Sequence, residues 1–374
     1  MIARKLVAGA LVAVIGSVSL NGSPALADEW RDRQWHLDYL KVEEAHRLAK
    51  GSGVTVAVID SGVADHRDLA GSVLPGKDFV KTGGNGHTDL TGHGTSMAGL
   101  IAAHGEGDRG VLGIAPEAKI LPIRVLGRGS SQVNYGPALE YAISKGAKVI
   151  NMSLGGTVNP STIRAINAAK EADVVLIAAA GNKPEDQGVI APAILDGVLA
   201  VGATDRKGNL ATVSVTGPAI DLTAPGADMT TTNNKNDYAF EQSGTSDAAA
   251  VVSGAAALLR SKYPDMTAEE VVQRLEDTAT DKGPPGVDDE YGHGIVNIVA
   301  ALKGSNVPAS GQPSNPAPTA STPPTAPTQT AQAAPDPDPA SNNTPLIVGA
   351  AILALLTALT GIIWIRRRST NRPT

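Results

Sequence analysis

Three residues able to take part in acyl transfer stand in small-residue stretches far apart in the chain: Asp60 in VIDSGV, His93 in GHGTSMAG and Ser246 in SGTSDAAA. A serine hydroxyl attacks a carbonyl efficiently only when a base lies within hydrogen-bond reach and a third group holds that base in the right tautomer. A carboxylate, an imidazole and a hydroxyl supply those roles, and Asp, His, Ser is one of the chain orders in which they occur. Taken singly, Asp60 reads as a turn residue closing a strand, His93 as a glycine-flanked loop histidine and Ser246 as a helix cap. Their co-occurrence is what points to chemistry. Gly92 and Gly94 let the backbone crowd around His93, and Gly244 keeps a side chain out of the path to Ser246. A helix starting at Ser246 would turn unbonded N–H groups toward any negative charge forming there. Helix cap and nucleophile are thus compatible roles.

Strands and helices must bring these residues together. Short apolar runs recur: VTVAVID ending at Asp60, KILPIRVL at Leu126, KVINMSL at Leu154, VVLIAAAGN at Asn182 and VLAVGA at Ala203. Unbroken β-branched runs of this length suit strands covered on both faces. Amphipathic stretches alternate with them, among them YGPALEYAISKG and PSTIRAINAAKEAD, the second with Pro160 near its start. Thr267 and Glu270 form a capping box ahead of a further helix. The alternation predicts an α/β fold, a mainly parallel central sheet flanked by helices in three layers. In such sheets sites form at the carboxyl ends of strands, where Asp60, Ser153 and Asn182 all fall. TTNNKND reads as a solvated turn.

Composition narrows the rest. Of 374 residues 42% are hydrophobic but only 3% aromatic, so the core is built from Val, Ile, Leu and Ala, and 41 glycines favour close packing. A net charge of −6 argues against a nucleic-acid partner, whose phosphates demand a basic surface. With no cysteine, disulfides, thiolate metal sites and thiol catalysis are excluded. No cofactor is required for this chemistry, and a structural calcium stays open, although no Asp-rich loop has the spacing of a calcium site.

Both ends carry targeting signals. Arg4 and Lys5 precede an apolar run from Leu6 to Leu20 and small residues at Ala25 and Ala27, which makes residues 1–27 a signal peptide. Residues 346–365 are uncharged and as a helix would span about 30 Å, one hydrocarbon core. Arg366, Arg367 and Arg368 follow, placing a short tail, 366–374, in the cytoplasm and everything before the span outside. Residues 305–345 hold eleven of the chain's 25 prolines and read as an extended stalk. What remains is an extension, 28–50, and a globular body, 51–304.

In the body, AVIDSGV, GHGT, AAAGN and GTSDAAA together resemble the four signature blocks of the subtilisin-like serine proteases, over roughly Gly51 to Gly304. The resemblance implies that Ser246 attacks the scissile carbonyl and that His93 acts as general base and then acid. Asp60 would orient the imidazole, and Asn182 would donate its amide to the oxyanion beside the Ser246 N–H. Ser153, Leu154 and Gly155 would form an edge that pairs with an extended peptide or protein substrate. LGRGSSQ, with Gly127 and Gly129, would give the opposing edge. Within the family the layout resembles the mycosins, membrane-anchored proteases associated with type VII secretion in actinobacteria. Its carriers are RQWHLDYLKVEEAHRLAKGSGVTVAVID, the stalk and the single C-terminal span. The extension would then be retained and packed on the catalytic domain through Trp35 and Leu37. His293, in YGHGIVN, matches a structural closing segment of the family, and the remaining histidines read as surface or packing residues.

The chain departs from the family pattern at Asp247, where a bulky apolar residue is usual, and at Ala250, where proline is usual. Many mycosins also carry disulfides. In a first helical turn an acidic residue gains about 0.3 to 1 kcal/mol from the helix dipole. Beside a developing oxyanion it is adverse, so Asp247 is expected to slow the reaction. Two functions follow: a membrane-anchored endopeptidase, or a weakly active protease-fold scaffold that stabilises a membrane secretion complex.

Overall fold

The computed structural model describes residues 29–105, 109–127 and 134–304. The signal peptide, the stalk, the membrane span, the basic tail and Gly129 lie outside the described residues. All described residues belong to one compact unit. Among them no helix is long and apolar enough to cross a membrane.

Three short helices open the chain: α1 (Glu29–Asp32), α2 (Trp35–Tyr39) and α3 (Val42–His46). They are followed by β1 (Thr55–Asp60), β2 (Lys77–Asp78), α4 (His93–Ala102), β3 (Lys119–Arg124), α5 (Gly136–Ser144), β4 (Val149–Met152) and α6 (Pro160–Glu171). The second half contains β5 (Val175–Ala179), β6 (Leu199–Thr204), β7 (Leu222–Pro225), β8 (Met229–Thr232), β9 (Tyr238–Gln242), α7 (Thr245–Lys262), α8 (Ala268–Asp277) and α9 (Ile298–Lys303). Strands β1 to β7 form one sheet in the order β2-β3-β1-β4-β5-β6-β7, every pair parallel. β8 and β9 make a separate antiparallel hairpin.

The sheet is apolar on both faces because both are covered. Val56 and Val58 of β1, with Ile177 and Val201, face one core with α4, α7, α8 and α9; Ala57 and Ile59, with Ile150 and Leu176, face another with α5 and α6. This is the three-layer arrangement expected from alternating strands and helices. α6 starts where Pro160 suggests, with Asn159 accepting bonds from Ser161 N and Thr162 N, and the Thr267–Glu270 capping box opens α8.

Three runs end sooner than the sequence suggests, among them VVLIAAAGN, which leaves the ladder at Ala179. KILPIRVL leaves the ladder at Arg124, whose buried guanidinium pairs with Asp78 at 2.8 Å. KVINMSL leaves it at Met152, which frees the backbone of Ser153 and Leu154 for other partners. TTNNKND is solvated only from Asn233 onward. Thr231 and Thr232 are buried in β8, and their hydroxyls donate to the carbonyls of Ser96 and Thr95 in α4 at 2.9 and 2.7 Å.

The opening helices are fastened to this body by polar as well as apolar contacts. Trp35 and Leu37 pack against the α7-side core, and the Trp35 indole donates to the carbonyls of Ala227 and Asp228. Gln34 is buried and bonds the backbone of Leu112 in both directions. His36 is fully buried, and neither ring nitrogen has a hydrogen-bond partner among the described residues. Burial pushes it down to about 3. The folded protein therefore resists binding a proton that the unfolded chain accepts near pH 6.5. Stability is expected to fall as pH drops from about 6.5 toward 3, by about 1.4 kcal/mol per pH unit at its steepest. Denaturant unfolding at pH 7, 5.5 and 4.5 should show a flatter slope for His36→Leu than for wild type; parallel slopes would contradict this account.

Candidate active site

β1, β4 and β5 are neighbours, with Ile59 opposite Met152 and Met152 opposite Ala178, so their carboxyl ends form one edge. Asp60 is the last residue of β1, Ser153 follows β4, and Asn182 lies three residues beyond β5. α4 and α7 pack on the same face and deliver their first turns to that edge, α4 with His93 and α7 with Ser246.

The imidazole of His93 is held by a carboxylate with no solvent exposure: Nδ1 lies 2.8 Å from Oδ1 and 2.9 Å from Oδ2 of Asp60. Occupation of Nδ1 by an acceptor assigns the proton to that nitrogen and leaves Nε2 to act as a base. Burial works against charge on His93, but the Asp60 charge and hydrogen bond, joined by Asp247 and Asp89, outweigh it and push the imidazole up to about 9. The glycines around it have steric causes. Gly92 has φ 91°, and a Cβ on Gly94 would stand 2.1 Å from the carbonyl oxygen of Gly62.

A buried carboxylate, Asp89, organises the approach to α4. Its Oδ1 accepts from the Ser61 hydroxyl at 2.9 Å and the Gly92 N–H at 2.8 Å, and its Oδ2 accepts from Thr95 N–H and hydroxyl at 3.0 and 2.7 Å. Ser61 in turn accepts from Gly94 N–H at 3.0 Å, while its own N–H donates to Asp60 at 2.7 Å. The Asp60 strand end and the His93 helix start are thereby tied together. These bonds hold Asp89 below the usual carboxylate range although burial opposes them.

Ser246 lies in the first turn of α7, 8% exposed, and its hydroxyl donates to the Ser153 carbonyl at 3.0 Å. The Ser153 hydroxyl returns a bond to the Ser246 carbonyl at 3.1 Å and accepts from the Asn151 amide at 3.0 Å. Ser253, two turns along α7, donates to the side-chain Oδ1 of Asn151 at 3.0 Å. This buried chain fixes α7 to the end of β4. Asn182 is oriented from the other side: its Oδ1 accepts Thr245 N–H at 2.9 Å and the Thr245 hydroxyl at 3.2 Å, and its own N–H donates to Asp186 at 2.8 Å. With Oδ1 occupied, the Nδ2 donor is the free end of the amide.

The remaining expected residues flank this centre. The Leu154 carbonyl accepts from the buried Tyr135 hydroxyl. A Cβ on Gly155 would meet Ile190 at 3.1 Å, and one on Gly127 would meet the exposed Val80 at 3.0 Å. Asp247 is 4% exposed, and its Oδ1 has no hydrogen-bond partner among the described residues. Asn151, Ser253, Tyr135 and Asp89 were not legible as site residues, though Asp89, four residues ahead of the His93 helix start, carries a helix-cap cue. Among the described residues no group of three or more acidic or histidine side chains is placed to hold a metal ion.

A profile of the peptidase S8 Subtilase family matches residues 51–294. The chain belongs to the subtilase family. It is 40% identical over 273 residues to the thermostable alkaline protease of Halalkalibacterium halodurans, covering 72% of this chain and 73% of that one. Among solved structures, MycP1 from Mycobacterium smegmatis superposes with a TM-score of 0.67 at 30% identity, covering 78% of this chain and 90% of that one. The MycP3 protease from the type VII (ESX-3) secretion system superposes with a TM-score of 0.65 at 33% identity, covering 74% and 90%. This subtilase is a serine protease by descent, with mycosins as structural neighbours.

Proposed function

We propose that the chain is an extracytoplasmic serine endopeptidase in which Ser246, His93 and Asp60 form the catalytic triad. The observation that carries this reading is the two-oxygen grip of buried Asp60 on His93 Nδ1, which leaves Nε2 as the base. Ser246 Oγ would exchange its bond to the Ser153 carbonyl for one to His93, transfer its proton there and attack the scissile carbon. The oxyanion would receive the Asn182 amide and the Ser246 N–H, which has no partner among the described residues. Collapse of the intermediate then releases the amine, protonated by His93, and water repeats the sequence on the acyl-enzyme. Ser153, Leu154 and Gly155 would bind the peptide as an added strand, with Gly127 belonging to the opposing edge.

The mycosin likeness and the sequence at both ends support a finer reading. A signal peptide, 1–27, would export the chain, the span 346–365 would anchor it through the stalk 305–345, and a type VII secretion complex would be its partner. Treating the full-length chain with a fluorophosphonate should yield a single adduct that peptide mapping places on Ser246. An adduct on another residue, or none, would overturn the assignment.

A further inference from the structure

We propose that Asp247 is a positioning residue for the general base: its buried carboxylate, left with Oδ1 unpartnered, acts on His93 and on the oxyanion site, holding the protease back until that charge is removed. The inference rests on the triad reading and concerns a residue that takes no part in bond making.

The geometry places the carboxylate inside the machinery. Oδ2 of Asp247 lies 3.5 Å from the point a Cβ on Gly244 would occupy, and Nδ2 and Oδ1 of Asn182 both lie 3.7 Å from the same point. The carboxylate and the Asn182 amide thus flank one atom-sized space directly before Ser246. Asp247 N–H donates to the Gly244 carbonyl at 3.2 Å, so the residue is fixed in the first turn of α7. Its side chain is buried with Oδ1 unpartnered, unlike an ordinary solvated acid near a helix N-terminus.

The charged groups around it leave few ways to satisfy it. His93 of α4 acts on Asp247 directly, Asp60 of β1 and Asp89 ahead of α4 act on His93, and Asp186 after β5 is bonded to Asn182. Among the described residues no lysine or arginine forms an ion pair with any of these four carboxylates. His93 is the one titratable cation of the set. Burial pushes Asp247 up to about 7, against the opposing pull of His93, while Asp247 helps to push His93 up to about 9.

The two groups therefore titrate as a pair. Above about pH 7 Asp247 loses its proton, and His93 then keeps its own until about pH 9. Protonated His93 cannot accept the Ser246 proton. Where His93 is neutral and Asp247 ionised, a negative charge beside the oxyanion donors opposes the charge that develops there and lowers the rate. Both effects bear on the transition state and neither on ground-state binding, so they fall on kcat and not on KM.

The pH dependence of kcat and KM, measured on one peptide substrate with full-length wild type, Asp247→Asn and Asp247→Met, tests this. Wild type should show an activity limb rising toward pH 9. Asp247→Asn should move that limb down by at least one pH unit and raise kcat at pH 7 at least tenfold, with KM changed less than threefold. Asp247→Met should move it the same way, which keeps the test intact if one variant folds poorly. Fluorophosphonate titration counts working sites in each chain. A wild type that labels while both variants keep its limb and rate overturns this inference alone; failure of every chain to label overturns the triad reading beneath it.

Discussion

Ser246→Ala is expected to lower kcat by about a million-fold while leaving the protein folded. That magnitude was measured for the corresponding change in subtilisin, a relative of this chain. In the proposed mechanism the Ser246 alcohol is the group acylated, and the neighbouring hydroxyls are committed elsewhere: Ser153 to the Ser246 carbonyl, and Thr245 to Gly181 and Asn182. The cost in stability should be small, about 1 kcal/mol, because the variant loses one hydrogen bond to the Ser153 carbonyl. The return bond from the Ser153 hydroxyl survives and keeps α7 docked. His93→Ala should be equally damaging, and the double variant no worse than either, since the two residues act as one unit. Steady-state kinetics with thermal unfolding of all three variants checks this. Activity within tenfold of wild type in Ser246→Ala would mean that another group is the nucleophile.

The parts of this site legible in the sequence are those whose residue types are unusual in their setting. Asp60 ends an apolar run, His93 sits between glycines and Ser246 opens an alanine-rich helix, and each position follows from a strand end or a helix start. The parts that were not legible are ordinary polar residues whose role depends on distant partners. Asn151 lies inside β4, where its amide meets Ser153 on one side and Ser253, 102 positions away, on the other. No local pattern encodes that pairing. The buried threonines of β8 were hidden for a similar reason: threonine, asparagine and lysine together signal solvent, yet Thr231 and Thr232 find acceptors in α4. His36 stands between Trp35 and Leu37 in a short helix that also carries Asp38, and only the fold reveals that it is fully enclosed.

Asp247 lies between these cases. Its identity beside Ser246 was conspicuous, and the helix dipole offered a benign reason for it. Burial changes the weight of that reason. A solvated acid would gain from the dipole and be screened from the oxyanion, whereas a carboxylate 4% exposed with a bare oxygen is neither solvated nor screened. The helix start thus supplies the N–H groups that favour the reaction and carries the charge that opposes it.

Asn182 offers the sharpest separation of chemistry from structure, because its two amide atoms have different duties. Oδ1 accepts from Thr245 N–H and hydroxyl and so caps α7, while in the proposed mechanism Nδ2 would meet the oxyanion. Asn182→Ala removes both functions. Its kcat should fall by 10²- to 10³-fold, the range measured for the equivalent donor in subtilisin, and its stability by about 1 kcal/mol, as for loss of a helix cap. Asn182→Asp keeps the acceptor for Thr245 but puts a carboxylate oxygen where the donor stood. The cap survives, so stability should stay nearer wild type than in the alanine variant. Activity should fall further, beyond 10³-fold at neutral pH, because a lost attraction becomes a repulsion, and Asp247 already supplies one negative charge beside the same space. The two variants are thus expected to rank in opposite orders by melting temperature and by kcat. If they instead rank the same way in both measurements, Asn182 serves the helix start alone, and the oxyanion must be held by the N–H groups of α7.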